Sequence, residues 1–349
     1  MLESLSLFFL ISIFIVASAA VWFAGIQLSN TVDIIDARFG LSQAFGGLIF
    51  LSITTNLPEI AIVITAALAH NMGIAIGNIL GGIAIQTVVL VILDGIGLRQ
   101  KAALTYKAAS LQLVLEGLLV ISILVISIMG TQLPKSIIFA HLAPGDLLIF
   151  FAWLIGLWLI SKARTALPWH ENGRPPQAEP LKSRAVIKMK KSGIIYILLI
   201  FIFSALVTLA AGVALEESGS IIAKHIGMSG ILFGSTILAA ATAFPEVSTG
   251  LAAIKNGDYT LAFSDIFGGN AFLPVLFLPA TLLSGTSILP QAKDTDIYLA
   301  SLGVLLTAVY IYGLIFRPKR QFLCLGIDSI IVLVLYIIGM AGLFAISKG

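Results

Sequence analysis

Residues 24–82 recur without a gap 187 positions further along the chain, and this repeat restricts the fold more tightly than any other feature. Ala24 and Gly25 fall on Ala211 and Gly212, Gly40 on Gly227, Ser42 on Ser229, and Gly47 on Gly234. Thr55, Pro58 and Glu59 then fall on Thr242, Pro245 and Glu246, while Ile79, Gly81 and Gly82 fall on Ile266, Gly268 and Gly269. Apolar segments often match by chance. A shared Pro-Glu pair and a shared Gly-Gly pair in one ungapped register do not. The chain therefore holds two copies of one unit.

Composition identifies the solvent of that unit. Only 11% of the 349 residues are charged and 59% are hydrophobic, against about 25% charged in a soluble domain, and the mean hydropathy is +1.07. A bilayer core needs about 20 apolar residues per helix. Ten stretches qualify: 5–29, 42–69, 72–95, 108–130, 146–162, 194–215, 229–254, 259–285, 297–316 and 323–346. The expected fold is an all-α integral membrane protein with ten transmembrane helices, five per copy. An odd number forces the second copy to enter the membrane from the opposite side, and inverted repeats of this type hold substrate near the midplane in secondary transporters. Ala17-Ser18-Ala19 has the form of a signal-peptidase site, but the segment before it carries Glu3 and no Lys or Arg. The repeat also gives this segment a partner, so it is read as helix 1.

Ten spans put both termini on one side. With the termini outside, the inner loops and helix ends hold all of the 20 Lys and Arg except Lys135, Lys224, Lys293 and Lys348. Basic loops stay cytoplasmic, so the expected orientation in the plasma or inner membrane is N-out, C-out. The longest polar stretch, 163–193, contains Pro168, Pro175, Pro176 and Pro180 and separates a first unit, 1–162, from a second, 194–349. It reads as a solvated basic connector near anionic headgroups, with regulation as the alternative. The single Cys324 cannot form an internal disulfide and is assigned to packing near a helix end. Expected partners are inorganic cations and the lipid bilayer. No nucleic acid and no cofactor is expected, and monomer and homo-oligomer both remain open.

The repeated motifs carry the chemistry. Glu59 and Glu246 each lie about mid-span, where an ionisable group costs several kcal/mol unless it is paired, protonated or beside a wet cavity. No Lys or Arg lies deep in a span to neutralise them. A bound cation or protons would do so; the plainer reading is a protonated Glu bonded to a backbone carbonyl. Pro58 and Pro245 cannot donate to the carbonyls of Thr54 and Ala241, and those oxygens need a partner in lipid. Asn56, Thr55 and Ser52 precede Glu59 by three, four and seven positions and so share its helical face. Carboxylate, hydroxyl, amide and carbonyl oxygens are the hard ligands that Ca2+ or Na+ require. The second copy has Ala243, Thr242 and Ala239 at these positions. Asp265, the repeat mate of Asn78, is a third intramembrane carboxylate. With the two Glu it would compensate a divalent cation; otherwise it bonds to a neighbouring Asn or Ser. The glycines of 77–82 and 264–269 read first as close helix contacts. Glu116 and Asp328 lack repeat mates and are read as structural groups within snorkelling reach of the inner interface. All four His (70, 141, 170 and 225) fall in expected loops, which argues against an intramembrane enzyme built on histidine.

The segments 40–82 and 227–269 resemble the α-repeats of the cation/Ca2+ antiporter superfamily, especially its prokaryotic sodium/calcium exchangers. That family carries a Gly-[Thr]-Ser-x-Pro-Glu type motif on helices 2 and 7 and Gly-Asn-x-x-Gly-Ser-Asn on helices 3 and 8. Here the matching stretches are Thr54-Thr55-Asn56-Leu57-Pro58-Glu59 with Gly77-Asn78-Ile79-Leu80-Gly81-Gly82, and Ala241-Thr242-Ala243-Phe244-Pro245-Glu246 with Gly268-Gly269-Asn270. The resemblance implies a sodium/calcium exchanger-like fold, with Glu59 and Glu246 as the central ion-binding glutamates and Thr55 and Thr242 as threonine ligands. The family's serine is Gly82 and Gly269 here, and its next polar ligand falls at Gln86 and Leu273. The expected function is antiport of Ca2+ or a similar cation against Na+ or H+. The alternatives are a monovalent Na+/H+-type exchanger and a transport-dead scaffold.

Overall fold

A computed structural model describes residues 5–39, 50–98, 102–134, 142–163 and 193–347. Among these residues, nine helices are long and apolar enough to cross a membrane, and Leu57–Leu68 is a shorter apolar helix in the place of the second expected span. The start of that span, at 42–49, lies outside the described residues, as do the connector at 164–192, His141 and His170. The first unit comprises α1 (Leu7–Phe39), α2 (Leu51–Thr55), α3 (Leu57–Leu68), α4 (Met72–Ile92), the short α5 (Leu104–Ala108), α6 (Leu111–Thr131) and α7 (Pro144–Ala163). The second comprises α8 (Ile194–His225), α9 (Gly230–Phe233), α10 (Ala239–Thr242), α11 (Phe244–Lys255), α12 (Tyr259–Phe272), α13 (Phe277–Ser284), α14 (Asp294–Phe316) and α15 (Ile327–Ile346).

The first helix of each unit outruns its apolar stretch. α1 has 33 residues and α8 has 32, about 50 Å each at 1.5 Å per residue, well beyond a hydrocarbon core of roughly 30 Å. Glu216 and Glu217 end the apolar run of α8 but not the helix, because Glu216 is buried and accepts from Asn71 Nδ2 at 3.4 Å. His225 is accordingly the last helical residue and not part of a loop. Both long helices are the least buried of the spans, whereas those at Met72–Gly97 and Tyr259–Ser284 are the most buried. Phe8, Phe23, Ile195 and Phe203 remain exposed on α1 and α8, the surface a lipid-facing helix presents.

Glycine decides how the two units interlock. A Cβ on Gly25 would meet Pro245 Cβ at 2.7 Å, and one on Gly212 would meet the Pro58 carbonyl oxygen at 2.8 Å. Gly25 and Gly212 are repeat mates, and so are Pro58 and Pro245. Each long helix thus seats its glycine on the proline kink of the other unit. A second crossing joins α4 to the segment Gly230–Leu238, where a Cβ on Gly77 would meet the Ile231 carbonyl oxygen at 2.6 Å and one on Gly234 would meet Asn78 N at 3.0 Å. Small residues permit such backbone approach between membrane helices.

The tenth span begins later than its apolar stretch suggests. Gln321–Phe322 and Leu325–Gly326 form a small antiparallel hairpin ahead of α15. Leu323 and Cys324 make its turn with φ of 52° and 66°, the left-handed pair that a two-residue hairpin turn requires. Cys324 therefore lies in a turn and not in a packed helix end.

Candidate ion-binding site

The kinks place the carboxylates. The second helix of the first unit breaks at Asn56 (φ −88°, ψ 15°), and its counterpart breaks at Ala243 (φ −76°, ψ 0°). Each proline sits at the start of the following helix, where its missing N–H disturbs no intrahelical bond. Glu59 and Glu246 consequently fall in the first turns of α3 and α11, where free backbone N–H groups favour negative charge. Both side chains are sealed from solvent, at 0% and 1% exposure.

The two glutamates meet at one amide. Gln86 Nε2 lies 3.4 Å from Glu59 Oε1, 3.4 Å from Glu246 Oε1 and 3.2 Å from Asn56 Oδ1. It has two hydrogens for three acceptors. Gln86 reaches this position because Gly269 has no side chain: a Cβ there would stand 2.8 Å from Asn56 Nδ2 and 3.3 Å from Gln86 Oε1. The repeat-related contact is apolar, with Leu273 Cδ1 3.4 Å from the position of a Gly82 Cβ. Each glycine leaves room for the side chain four residues on in the other unit, which is polar in one case and aliphatic in the other.

Several buried polar atoms in the site find no hydrogen-bond partner: Glu59 Oε2, Glu246 Oε2, Gln86 Oε1, Ser52 Oγ and both amide atoms of Asn78. Buried polar atoms normally find one, and oxygens left bare suit a hard cation. Asn56 Nδ2 turns back to the Ser52 carbonyl at 2.6 Å. The threonines face the opposite units: Thr55 Oγ1 is 3.3 Å from Asp265 Oδ1, while Thr242, a neighbour of Glu59, donates back to the Ala239 carbonyl at 3.3 Å. The break at Asn56 accounts for the Thr55 contact, because Thr55 and Glu59 no longer share one continuous helical face.

Asp265 adjoins the glutamate pair, within electrostatic reach of Glu246. Thr249 donates to its Oδ2 at 2.6 Å and Thr55 faces its Oδ1, so it bridges the two kinked segments. No three His, Cys, Asp or Glu side chains converge on one point among the described residues. Thr249 escaped the sequence reading because its repeat mate is Ile62; its place three residues after Glu246 was the available signal. Asn270 and Thr87, joined at 3.1 Å, were also missed. Glu116 and Asp328 do not snorkel, being 2% and 3% exposed. Glu116 accepts from Ser264 at 2.7 Å and from Gln112 at 2.5 Å, which satisfies its charge inside the bundle.

Gln86→Leu should lower cation flux about tenfold or more, since hydrogen bonds to charged groups contribute about 1.5–3 kcal/mol each. Gln86→Asn, which retains a shorter amide, should fall between Leu and the wild type when flux is measured in liposomes.

An inverted-repeat membrane bundle with a proline-kinked carboxylate from each unit at its centre is an architecture typical of secondary transporters. The sodium/calcium exchanger protein family matches residues 9–161 and 196–345, and the chain belongs to that family. It is 26% identical over 289 residues to the inner membrane protein YrbG of Escherichia coli (strain K12), covering 82% of this chain and 83% of that one. Among solved structures, the H+/Ca2+ exchanger CAX matches with a TM-score of 0.68 at 14% identity, covering 97% of this chain and 88% of its own. The sodium-calcium exchanger NCX_Mj, soaked with 10 mM Na+ and zero Ca2+, matches with a TM-score of 0.62 at 17% identity, covering 96% and 99%. The protein is thus a multi-pass membrane member of a cation-antiporter family.

Proposed function

We propose that the chain exchanges Ca2+, or a cation of similar charge and hardness, for Na+ or H+ by alternating access, with Glu59 and Glu246 binding the exchanged ions in competition. One observation carries this reading: the two glutamates, one from each inverted unit, face a common amide while keeping an unbonded, buried oxygen each. Exchange rather than leak follows from the energetics. Two bare carboxylates in a water-excluded centre are costly, so the helices rearrange only when cations or protons neutralise them. Thr55, Thr242, Asn56, Ser52, Asn78 and Gln86 would complete the oxygen shell, and Asp265 would serve as an adjoining carboxylate. The ends of the bundle rich in Lys and Arg would face the cytoplasm, with both termini outside. CAX and NCX_Mj, named for H+/Ca2+ and sodium-calcium exchange, share the fold.

A monovalent exchange is the second reading. It is favoured by the apolar Leu273–Gly82 contact, which removes oxygen ligands from one half of the site. Purified protein in liposomes, with 45Ca2+, Na+ and pH gradients imposed in turn, separates the two. Ca2+ movement driven by a Na+ or H+ gradient is the expected result, and Na+/H+ exchange without Ca2+ movement would overturn the divalent reading. Asp265→Asn is expected to slow Ca2+ movement more than that of Na+ or H+.

A further inference from the structure

The bundle contains a second pair of buried carboxylates that ion exchange at Glu59 and Glu246 does not use. Asp94 sits in the π-helical turn Leu93–Gly97 that ends α4, and Asp328 is the second residue of α15. They are 0% and 3% exposed. The α-carbon of Gly326, in the hairpin before α15, brings them together: a Cβ built there would stand 3.1 Å from Asp94 Oδ2 and against Asp328 Oδ1. Oxygens of two acidic side chains therefore flank one point that only a glycine leaves open.

The two carboxylates differ in their bonding. Asp94 accepts from two backbone amides, Leu104 N at 2.8 Å and Gly326 N at 2.6 Å, which fix its carboxylate against the hairpin. Neither oxygen of Asp328 completes a hydrogen bond. Thr105 lies beside it, both side chains packing on Gly313, and the Thr105 hydroxyl is also unpartnered at 1% exposure. Ser329 is buried next in the chain, its Oγ 3.4 Å from the Tyr310 hydroxyl. Two carboxylates with hydroxyls around them and no sulfur or imidazole form an oxygen donor set, which suits hard cations. The basic groups nearby are Arg317 and Lys319, whose head groups stand over the Tyr106 ring at 5.4 and 5.2 Å.

We infer that Asp94 and Asp328, with the Thr105 and Ser329 hydroxyls, form a second cation site that takes a divalent ion such as Ca2+ or Mg2+. A cation there would clamp α4, α5, the hairpin and α15 together. It would also brace the helix that carries Gln86, which lies eight residues or about 12 Å along α4 from Asp94. The site is independent of the transport reading.

The test uses the full chain carrying Glu59→Gln and Glu246→Gln, unfolded thermally in detergent with and without Ca2+ or Mg2+. A bound ion at saturating concentration should raise Tm by roughly 5 °C, and adding Asp328→Asn should abolish the rise. No cation-dependent rise in the Glu59→Gln, Glu246→Gln protein would overturn the site, as would an equal rise after Asp328→Asn. If that background cannot be purified, Tb3+ luminescence replaces the assay, with Tyr310 as the adjacent sensitiser. Tyrosine-excited emission should fall severalfold from wild type to the Asp328→Asn single variant, and unchanged emission would again overturn the site.

Discussion

In liposomes, Glu59→Gln combined with Glu246→Gln is expected to reduce cation-driven exchange by at least about 100-fold, since removing the carboxylate partner of a buried cation costs about 3–5 kcal/mol and each 1.4 kcal/mol is tenfold. Both side chains are enclosed and share the Gln86 amide, so each single substitution should already be severe. Stability should move the other way. Glutamine keeps the size of the side chain and removes a desolvated charge, so in cation-free buffer the double variant should unfold at the wild-type temperature or above it. Loss of flux without loss of Tm separates an ion-binding role from a structural one. Flux that survived the double substitution would remove the glutamate pair from the mechanism.

The second large effect is expected from the interlocking glycines. Gly25→Leu and Gly212→Leu each force a side chain into the opposite unit's proline kink, where Cβ contacts of 2.7 Å with Pro245 and Ala61 leave no space. Overpacking costs about 1–3 kcal/mol per site, or roughly 1–4 °C in Tm for a chain of this size, and the two together should lower Tm by about the sum. Gly193→Leu is the control, because nothing lies within 4 Å of its Cβ position, and it should leave Tm unchanged. Since both contacts bear on the segments that carry Glu59 and Glu246, either single variant that folds should also transport more slowly. Equal Tm values for Gly212→Leu and Gly193→Leu would disprove the close seating.

Much of this architecture was legible before any coordinates. The ungapped repeat, its five apolar spans and the Pro-Glu pair in each copy specify an inverted transporter fold, and the Gly-Gly pairs mark helices that approach closely. The reading weakened where polarity and conformation part company. Apolar length undercounted α8 by stopping at Glu216, whose carboxylate is buried against Asn71. It also ran α15 back through a hairpin whose turn residues, Leu323 and Cys324, have left-handed backbone that their side chains do not advertise. Glu116 and Asp328 looked able to snorkel because depth along a helix can be counted, whereas the face that neighbouring helices cover cannot.

The sequence alone settles that two units cross the membrane in opposite senses and that each brings one carboxylate to its centre, because span count and residue spacing are properties of the chain itself. Only the tertiary structure decides which atoms meet. Gln86 and Glu246 lie 160 residues apart, and Thr55 and Asp265 lie 210 apart. No periodicity links such positions. Gly269 gives the Gln86 amide its room, Leu273 fills the matching place over Gly82, and the kink at Asn56 turns Thr55 towards Asp265. These outcomes depend on close helix approaches, which glycine permits but does not specify.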